Sequence, residues 1–223
     1  MTYNTGVLDI LVVEDHIGDY ILIEEYLSEE HLQINLTRAS TFKEAKGNLS
    51  RDHNFKVVLL DLSLPDVQDS EALVTNMVGL APNTPIIVLT GFANKQFGVK
   101  TLSLGISDYL LKDDLSSSQL AKSIFYSIER KSIDFKLNES ERKYKALFDF
   151  SPLPMWVLDK HTLEFLNVND AAVALYGYSK DEFLTMNVRD LWTKDIYEEV
   201  ETAWQNNYHD KFGVTVKHHK KKW

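Results

Sequence analysis

Cysteine is absent from this chain of 223 residues. Its absence excludes a disulfide framework, thiolate-bound zinc or iron–sulfur clusters, and a cysteinyl adduct to a flavin. Positive charge is in short supply: 24 lysines and arginines face 33 aspartates and glutamates, for a formal net charge of -9. Such a surface repels phosphate backbones, so nucleic acid is not expected as a partner of this chain. No apolar run approaches the ~20 residues that span a bilayer. The opening "MTYNTGVLDI" lacks the basic start and apolar stretch of a signal peptide, so the cytoplasm is the expected location. Internal repeats and low-complexity segments are also missing. What is there is 44% hydrophobic and 26% charged, the profile of a globular protein with one large domain or two ordinary ones.

The first half switches between two periodicities. "LDILVV" (8–13), "QINLTRA" (33–39), "KVVLLD" (56–61), "PIIVLT" (85–90) and "SDYLLK" (107–112) read as strands. The third and fourth lack alternation, which predicts strands covered on both faces. Helical patterns lie between them. "DYILIEEYLSEEH" (19–31) puts Tyr20, Ile23 and Leu27 on one face. "TFKEAKGNLS" (41–50) has Ser40 or Thr41 as its cap, and "DSEALVTNMVGL" (69–80) has Gly79 as its candidate terminator. "NKQFGVKTLSL" (94–104) is followed by Gly105, and "QLAKSIFYSIERK" (119–131) spaces Leu120, Ile124 and Ile128 four apart. Strands alternating with helices predict a parallel sheet that binds ligands beyond the carboxyl ends of its strands.

Those ends carry chemistry. The first strand runs into Glu14 and Asp15, the third ends in Asp61, the fourth in Thr90 before Gly91, and the fifth is followed by Lys112. Singly, each reads as a turn, cap or surface residue. Together on one sheet edge, three carboxylates repel one another and call for a cation, and oxygen ligands with open water positions suit Mg²⁺. A lysine and a hydroxyl nearby suit a phosphoryl dianion, and an aspartate is a competent nucleophile toward phosphorus.

"ILVVEDHIGD", "VVLLDLSLPD", "PIIVLTG" and "GISDYLLKDDL" resemble the signature segments of the receiver domain of two-component response regulators, over roughly Val7 to Arg130. The resemblance implies a five-stranded parallel, doubly wound, flavodoxin-like α/β domain with strand order 2-1-3-4-5, for which receivers are themselves a type example. It implies that Asp61 accepts a phosphoryl group from a histidine of a partner histidine kinase or histidine phosphotransfer protein. Glu14 and Asp15 become the acid pocket, with Asp15 the more direct Mg²⁺ ligand, Asp61 a second and the backbone carbonyl of Ser63 a third. Thr90 and Lys112 bind the phosphoryl oxygens, and Thr90 and Tyr109 form the switch pair. Self-catalysed phosphotransfer and slow dephosphorylation are implied; no dedicated enzyme domain is recognisable.

Two positions depart from the family pattern. Asp69 stands where glycine is usual. Asp113 follows Lys112 where proline is common, and a cis bond before a non-proline residue costs ~2.5–4 kcal/mol. Two other readings compete. Haloacid-dehalogenase-like phosphatases also use a strand-end aspartate, but carry a second acid two residues on, where this chain has Ser63. A phosphorylation-independent scaffold is the alternative from another class.

Beyond a charged helical connector (131–145), residues 146–223 resemble a PAS sensor domain of α+β type, in "LFDFSPLPMWVLD", "LEFLNVNDAAVALYGYSKDEFL" and "DLW". The two strands that close the PAS sheet are expected to be missing, as in a fragment of a longer protein that continues into a histidine kinase or another output module. No PAS ligand is assigned. A haem is not expected, because "KDIYEEVETAWQNNY" contains no histidine and His209 reads as a surface residue. Trp156, Phe165, Tyr176 and Trp192 read as core rather than pocket lining. "KHHKKK" (217–222) reads as a solvated turn and His16 as an exposed loop residue. The resemblance offers a homodimer through the face made by the receiver's fourth helix, fifth strand and fifth helix, or through the connector. Ile133, Phe135 and Leu137 keep no clean heptad there.

Overall fold

The computed structural model describes residues 7–31, 33–51, 54–91, 102–159 and 161–191. The chain divides into two compact units, 1–137 and 138–223.

In the first unit, β1 (Leu8–Val13), β2 (Ile34–Ala39), β3 (Val57–Asp61), β4 (Ile86–Thr90) and β5 (Asp108–Leu111) form one parallel sheet in the order β2-β1-β3-β4-β5. Its helices are α1 (Ile17–Glu29), α2 (Phe42–Ser50), α3 (Ser70–Leu80) and α4 (Ser117–Asp149). Every residue of β3 and β4 is buried, as apolar runs without alternation require. Alternate residues feed opposite faces. Leu11, Val13, Val58, Leu60 and Val88 pack with Ala45, Leu73, Val74 and Met77 on one side. Ile10, Val12, Leu59, Ile87 and Leu89 pack with Ile23, Leu27, Leu120 and Ile124 on the other. Each such side chain contributes about 1.5–3 kcal/mol when fully buried, so both layers hold the strand ends in place.

Helix ends follow local chemistry. Thr41 rather than Ser40 caps α2, accepting the Glu44 N–H at 3.1 Å. Gly79 does not end α3, which runs through it to Leu80. The stop comes from Pro82, whose ring disfavours helical geometry at Ala81; Ala81 sits at φ -128 and ψ 59. The helix expected over 94–104 lies mostly outside the described residues, with only its end at Leu102 and Ser103 helical among them. Gly105 follows at φ +103, a conformation that favours glycine. The last helix that begins in this unit runs on through the helical connector as one element: α4 is continuous to Asp149. Leu120 and Ile124 are buried and Ile128 packs against them, whereas Ile133, Phe135 and Leu137 are exposed. No helix among the described residues is long and apolar enough to cross a membrane.

In the second unit, β6 (Trp156–Leu158) pairs antiparallel with β7 (Phe165–Val168), followed by α5 (Asp170–Tyr176), α6 (Lys180–Phe183) and a 3-10 turn at Val188–Leu191. Its core is a lattice of rings: Phe183 meets Phe165 at 5.1 Å, Tyr178 at 5.7 Å and Tyr176 at 6.2 Å, all edge-on. Trp156 meets Tyr176 at 5.8 Å and Phe165 at 6.3 Å. Three of the four aromatic residues singled out in the sequence are thus packed on one another; Trp192 lies outside the described residues, as do His209 and 217–222. Asn169 is the buried polar centre. Its Nδ2 donates to the carbonyls of Phe148 and Leu153 at 3.0 and 2.9 Å, and its Oδ1 accepts from the N–H groups of Met155 and Ala172, both at 2.9 Å.

Candidate functional site

Because the strands are parallel, their carboxyl ends share an edge. Val13 is in register with Leu60, Asp61 with Leu89, and Thr90 with Leu111. Residues 14, 15, 61, 90 and 112 therefore lie at the same edge despite their separation in sequence. Carboxylate oxygens of Glu14, Asp15 and Asp61 lie within 4.8 Å of one another. Glu14 and Asp61 are 1% and 4% exposed, while Asp15 faces solvent. Lys112 reaches in from the end of β5: its Nζ lies 2.7 Å from Glu14 Oε2, 2.7 Å from Asp19 Oδ2 and 3.3 Å from Asp61 Oδ1.

The electrostatics follow from this packing. Burial pushes the Glu14 carboxyl above the usual glutamate range, and the Lys112 ammonium only partly offsets it. Burial works against the Lys112 charge as well, but the hydrogen bonds to Asp19 and Glu14 and the charge of Asp61 outweigh it and raise its pKa. The bond from Lys112 holds Asp19 below the usual aspartate range despite partial burial.

The loops are tied down locally. Arg38 on β2 donates to the carbonyl oxygens of Glu14 and Asp15 at 3.0 and 2.5 Å, which shapes the turn after β1. Glu14 Oε1 accepts the His16 N–H at 3.0 Å. His16 is exposed, as its loop reading implied, yet it also has a structural task. It is the N-cap of α1, its Nδ1 accepting the Asp19 N–H at 3.3 Å. After β3, Ser63 is exposed between buried Leu62 and Leu64. Asp66 then accepts the N–H groups of Phe42 and Lys43 at 2.9 and 3.0 Å, so this loop is pinned to the start of α2. Thr90 is buried, and Tyr109 is half-buried against the layer that holds Leu104.

Both departures from the family pattern have a local account. Asp69 is the N-cap of α3, its Oδ1 accepting from Glu71 and Ala72 N–H at 2.9 and 3.2 Å; glycine has no such acceptor. Lys112–Asp114 form a 3-10 turn, and no peptide bond among the described residues is cis.

Asp19 and Arg38 are the residues that strand-end reasoning passed over. Asp19 reads as one more acid on a solvated face, and Arg38 acts through backbone carbonyls that sequence does not display. A separate shallow hollow of about 380 Å³ is lined by Asp108, Leu110, Lys122, Ser123 and Tyr126 among others. None of the strand-end acids lines it.

Comparison with known proteins agrees with this geometry. Residues 10–125 match the family model of the response regulator receiver domain, and 142–211 match a PAS domain model. The cell cycle transcriptional regulator CtrA of Caulobacter vibrioides is 29% identical over 123 residues, covering 55% of this chain and 51% of that protein. The cell cycle response regulator CtrA of Brucella ovis is 29% identical, over 55% of this chain and 50% of its own length. The chain thus spans about half the length of the curated relatives it matches. Among solved structures, the signal receiver domain of a putative LuxO repressor protein from Vibrio parahaemolyticus superposes with a TM-score of 0.52 at 22% identity, covering 59% of this chain and 98% of that one. NtrX from Brucella abortus gives 0.54 at 22% identity, covering 61% of this chain and 30% of that one. At such identity these structures speak for the fold alone, but the matched family model spans more than half of the chain and all of the strand-end residues. This chain belongs to the response regulator receiver domain family, with a PAS domain following the receiver.

Proposed function

We propose that Asp61 is the phospho-acceptor of this receiver. It takes a phosphoryl group from a phosphohistidine of a partner histidine kinase or histidine phosphotransfer protein. The observation that carries the reading is the gathering of Glu14, Asp15 and Asp61 oxygens within 4.8 Å beside the Lys112 ammonium. The donor set is all oxygen, with Asp15 open to water, and this fits a hard divalent cation such as Mg²⁺. Glu14, Asp15, Asp61 and the Ser63 carbonyl would hold it, and it would supply neutralisation of phosphoryl charge.

An Asp61 carboxylate oxygen attacks phosphorus. The O–P bond forms as the P–N bond to the donor breaks, and the electron pair returns to the imidazole nitrogen. Lys112 and the Thr90 hydroxyl stabilise the phosphoryl oxygens. The acyl phosphate adds about -1.5 to -2 charge to a buried sheet edge, and Thr90 with Tyr109 respond as the switch pair. On this reading residues 7–130 are the receiver, 131–145 the connector and 146–223 the PAS-type sensor. The change reaches the sensor with a coupling of the usual ~1–3 kcal/mol.

The test is to incubate the protein with Mg²⁺ and acetyl phosphate and record its intact mass. One phosphoryl adduct is expected on the wild type and none on Asp61→Asn. An unmodified wild type, under conditions that modify a control receiver, overturns the reading. An adduct of full stoichiometry on Asp61→Asn overturns the residue assignment.

A further inference from the structure

The described residues bring to the site one carboxylate that strand-end logic does not foresee. Asp19 lies in the first turn of α1, 37% exposed at its side chain, and its Oδ2 accepts a 2.7 Å hydrogen bond from Lys112 Nζ. Its Oδ1 lies 3.1 Å from His16 Nδ1. The carboxylate thus lies beside the imidazole that caps the helix, and the ammonium beyond β5 is the donor that grips it. Residue 18 leaves room for this because it is glycine: a Cβ there would come within 2.9 Å of His16 Cε1.

An ammonium has three N–H bonds to give. Lys112 makes two short contacts, 2.7 Å each, to Glu14 and Asp19, and its third carboxylate neighbour is Asp61 Oδ1 at 3.3 Å. Two anchors fix rotation about the Cε–Nζ bond and leave one N–H for the Asp61 side. The anchors are not equivalent. Glu14 shares the acid pocket with Asp15 and Asp61. A divalent cation in that pocket competes with Lys112 for Glu14 oxygens, and its charge repels the ammonium. Asp19 is outside that group of three, so a cation there does not compete for the Oδ2 that Lys112 holds.

We propose that Asp19 is a positioning residue that keeps the Lys112 ammonium beside Asp61 when a cation occupies the acid pocket. The inference rests on the phospho-acceptor reading of Asp61. It extends the working constellation from the strand ends to a helical turn, where an acid ordinarily does no more than complement the helix dipole.

Two variants of the full chain test it. Asp19→Asn keeps an oxygen acceptor without the charge; Asp19→Ala removes both. With acetyl phosphate at saturating Mg²⁺, the initial rate of adduct formation is expected to fall about fivefold to tenfold in Asp19→Ala, the loss of one partly exposed charged hydrogen bond. Asp19→Asn is expected to fall in between. The second readout is the ¹H–¹⁵N resonance of the Lys112 side-chain ammonium with Mg²⁺ present, assigned by its loss in Lys112→Arg. It is expected in the wild type, retained in Asp19→Asn and lost in Asp19→Ala, while the backbone amide spectrum keeps its dispersion. A merely structural role for Asp19 would leave that resonance in place. Retention of either the wild-type rate or the resonance in Asp19→Ala overturns the inference and leaves the acceptor reading standing, as does a wild-type ammonium too mobile to give the resonance. A wild type that forms no adduct overturns the acceptor reading, and the inference with it.

Discussion

The two units bury polarity in opposite ways. The first buries charge: Glu14 and Asp61 are nearly inaccessible, and both face the Lys112 ammonium. The second buries a neutral amide, Asn169, whose donor and acceptor atoms are all matched, and none of its described charged residues is buried. A buried carboxylate is costly, and a structure tolerates several together where they have chemical work to do. A satisfied buried amide joins backbone segments and specifies packing. This is why the receiver is recognisable by its strand-end polar residues and the PAS region only by its pattern.

The contrast can be broken at three positions. The largest effect is expected from Phe183→Ala. Phe183 is fully buried among Phe165, Tyr176 and Tyr178, and truncating such a ring typically costs about 3–5 kcal/mol. Amide hydrogen exchange should show lost protection over 156–191 and unchanged protection in the receiver sheet. Phosphoryl uptake should persist.

Next comes Asn169→Asp, which places a carboxylate against the Phe148 and Leu153 carbonyls and removes both donors. A loss of about 2–3 kcal/mol is expected at neutral pH, the penalty of an unsatisfied buried group. This surrounding raises the pKa of the new carboxyl above its unfolded value, so the penalty appears as pH rises through the folded value and eases below it. Urea unfolding at pH 4 and pH 7 measures the difference. Equal losses at both would mean that packing, not charge, dominates.

The smallest effect runs the other way. Burial raises the Glu14 pKa, so the folded state holds that proton more tightly than the unfolded chain does. This contribution favours folding at acid pH and is lost as pH rises through the folded value. Glu14→Gln should therefore stabilise the receiver at pH 7 without added Mg²⁺, and the gain should shrink toward pH 4. With Mg²⁺ the order should reverse, because only the wild type keeps the full acid pocket and ligand binding stabilises the state that binds. Thermal unfolding with and without the cation decides it.

Much of the first unit is legible in the residues alone. Runs such as "VVLLD" and "IIVLT" have no polar face, so they must be covered on both sides, and parallel strands so covered must end on one edge. The strand order itself came from the family resemblance. Helix ends were less legible. Gly79 looked like a stop, but the constraint lies three residues on, in the ring of Pro82. Asp69 looked like an intrusion into a glycine position; it closes the start of α3 with its carboxylate. In the second unit the aromatic residues announced a core, whereas the four-way junction at the Asn169 side chain draws on backbone groups that have no sequence signature.

Periodicity and the order of acids, hydroxyl and lysine along the chain determined the sheet and the set Glu14, Asp15, Asp61, Thr90 and Lys112, because a parallel sheet gathers its strand ends whatever loops intervene. Only the tertiary structure decided which carboxylates hold the lysine. Asp19 and Lys112 are 93 residues apart, and their meeting depends on the phase of α1 and the path of a flexible four-carbon stem. Neither leaves a trace in hydrophobic patterning, so an acid that reads as solvated becomes half of the grip on the lysine.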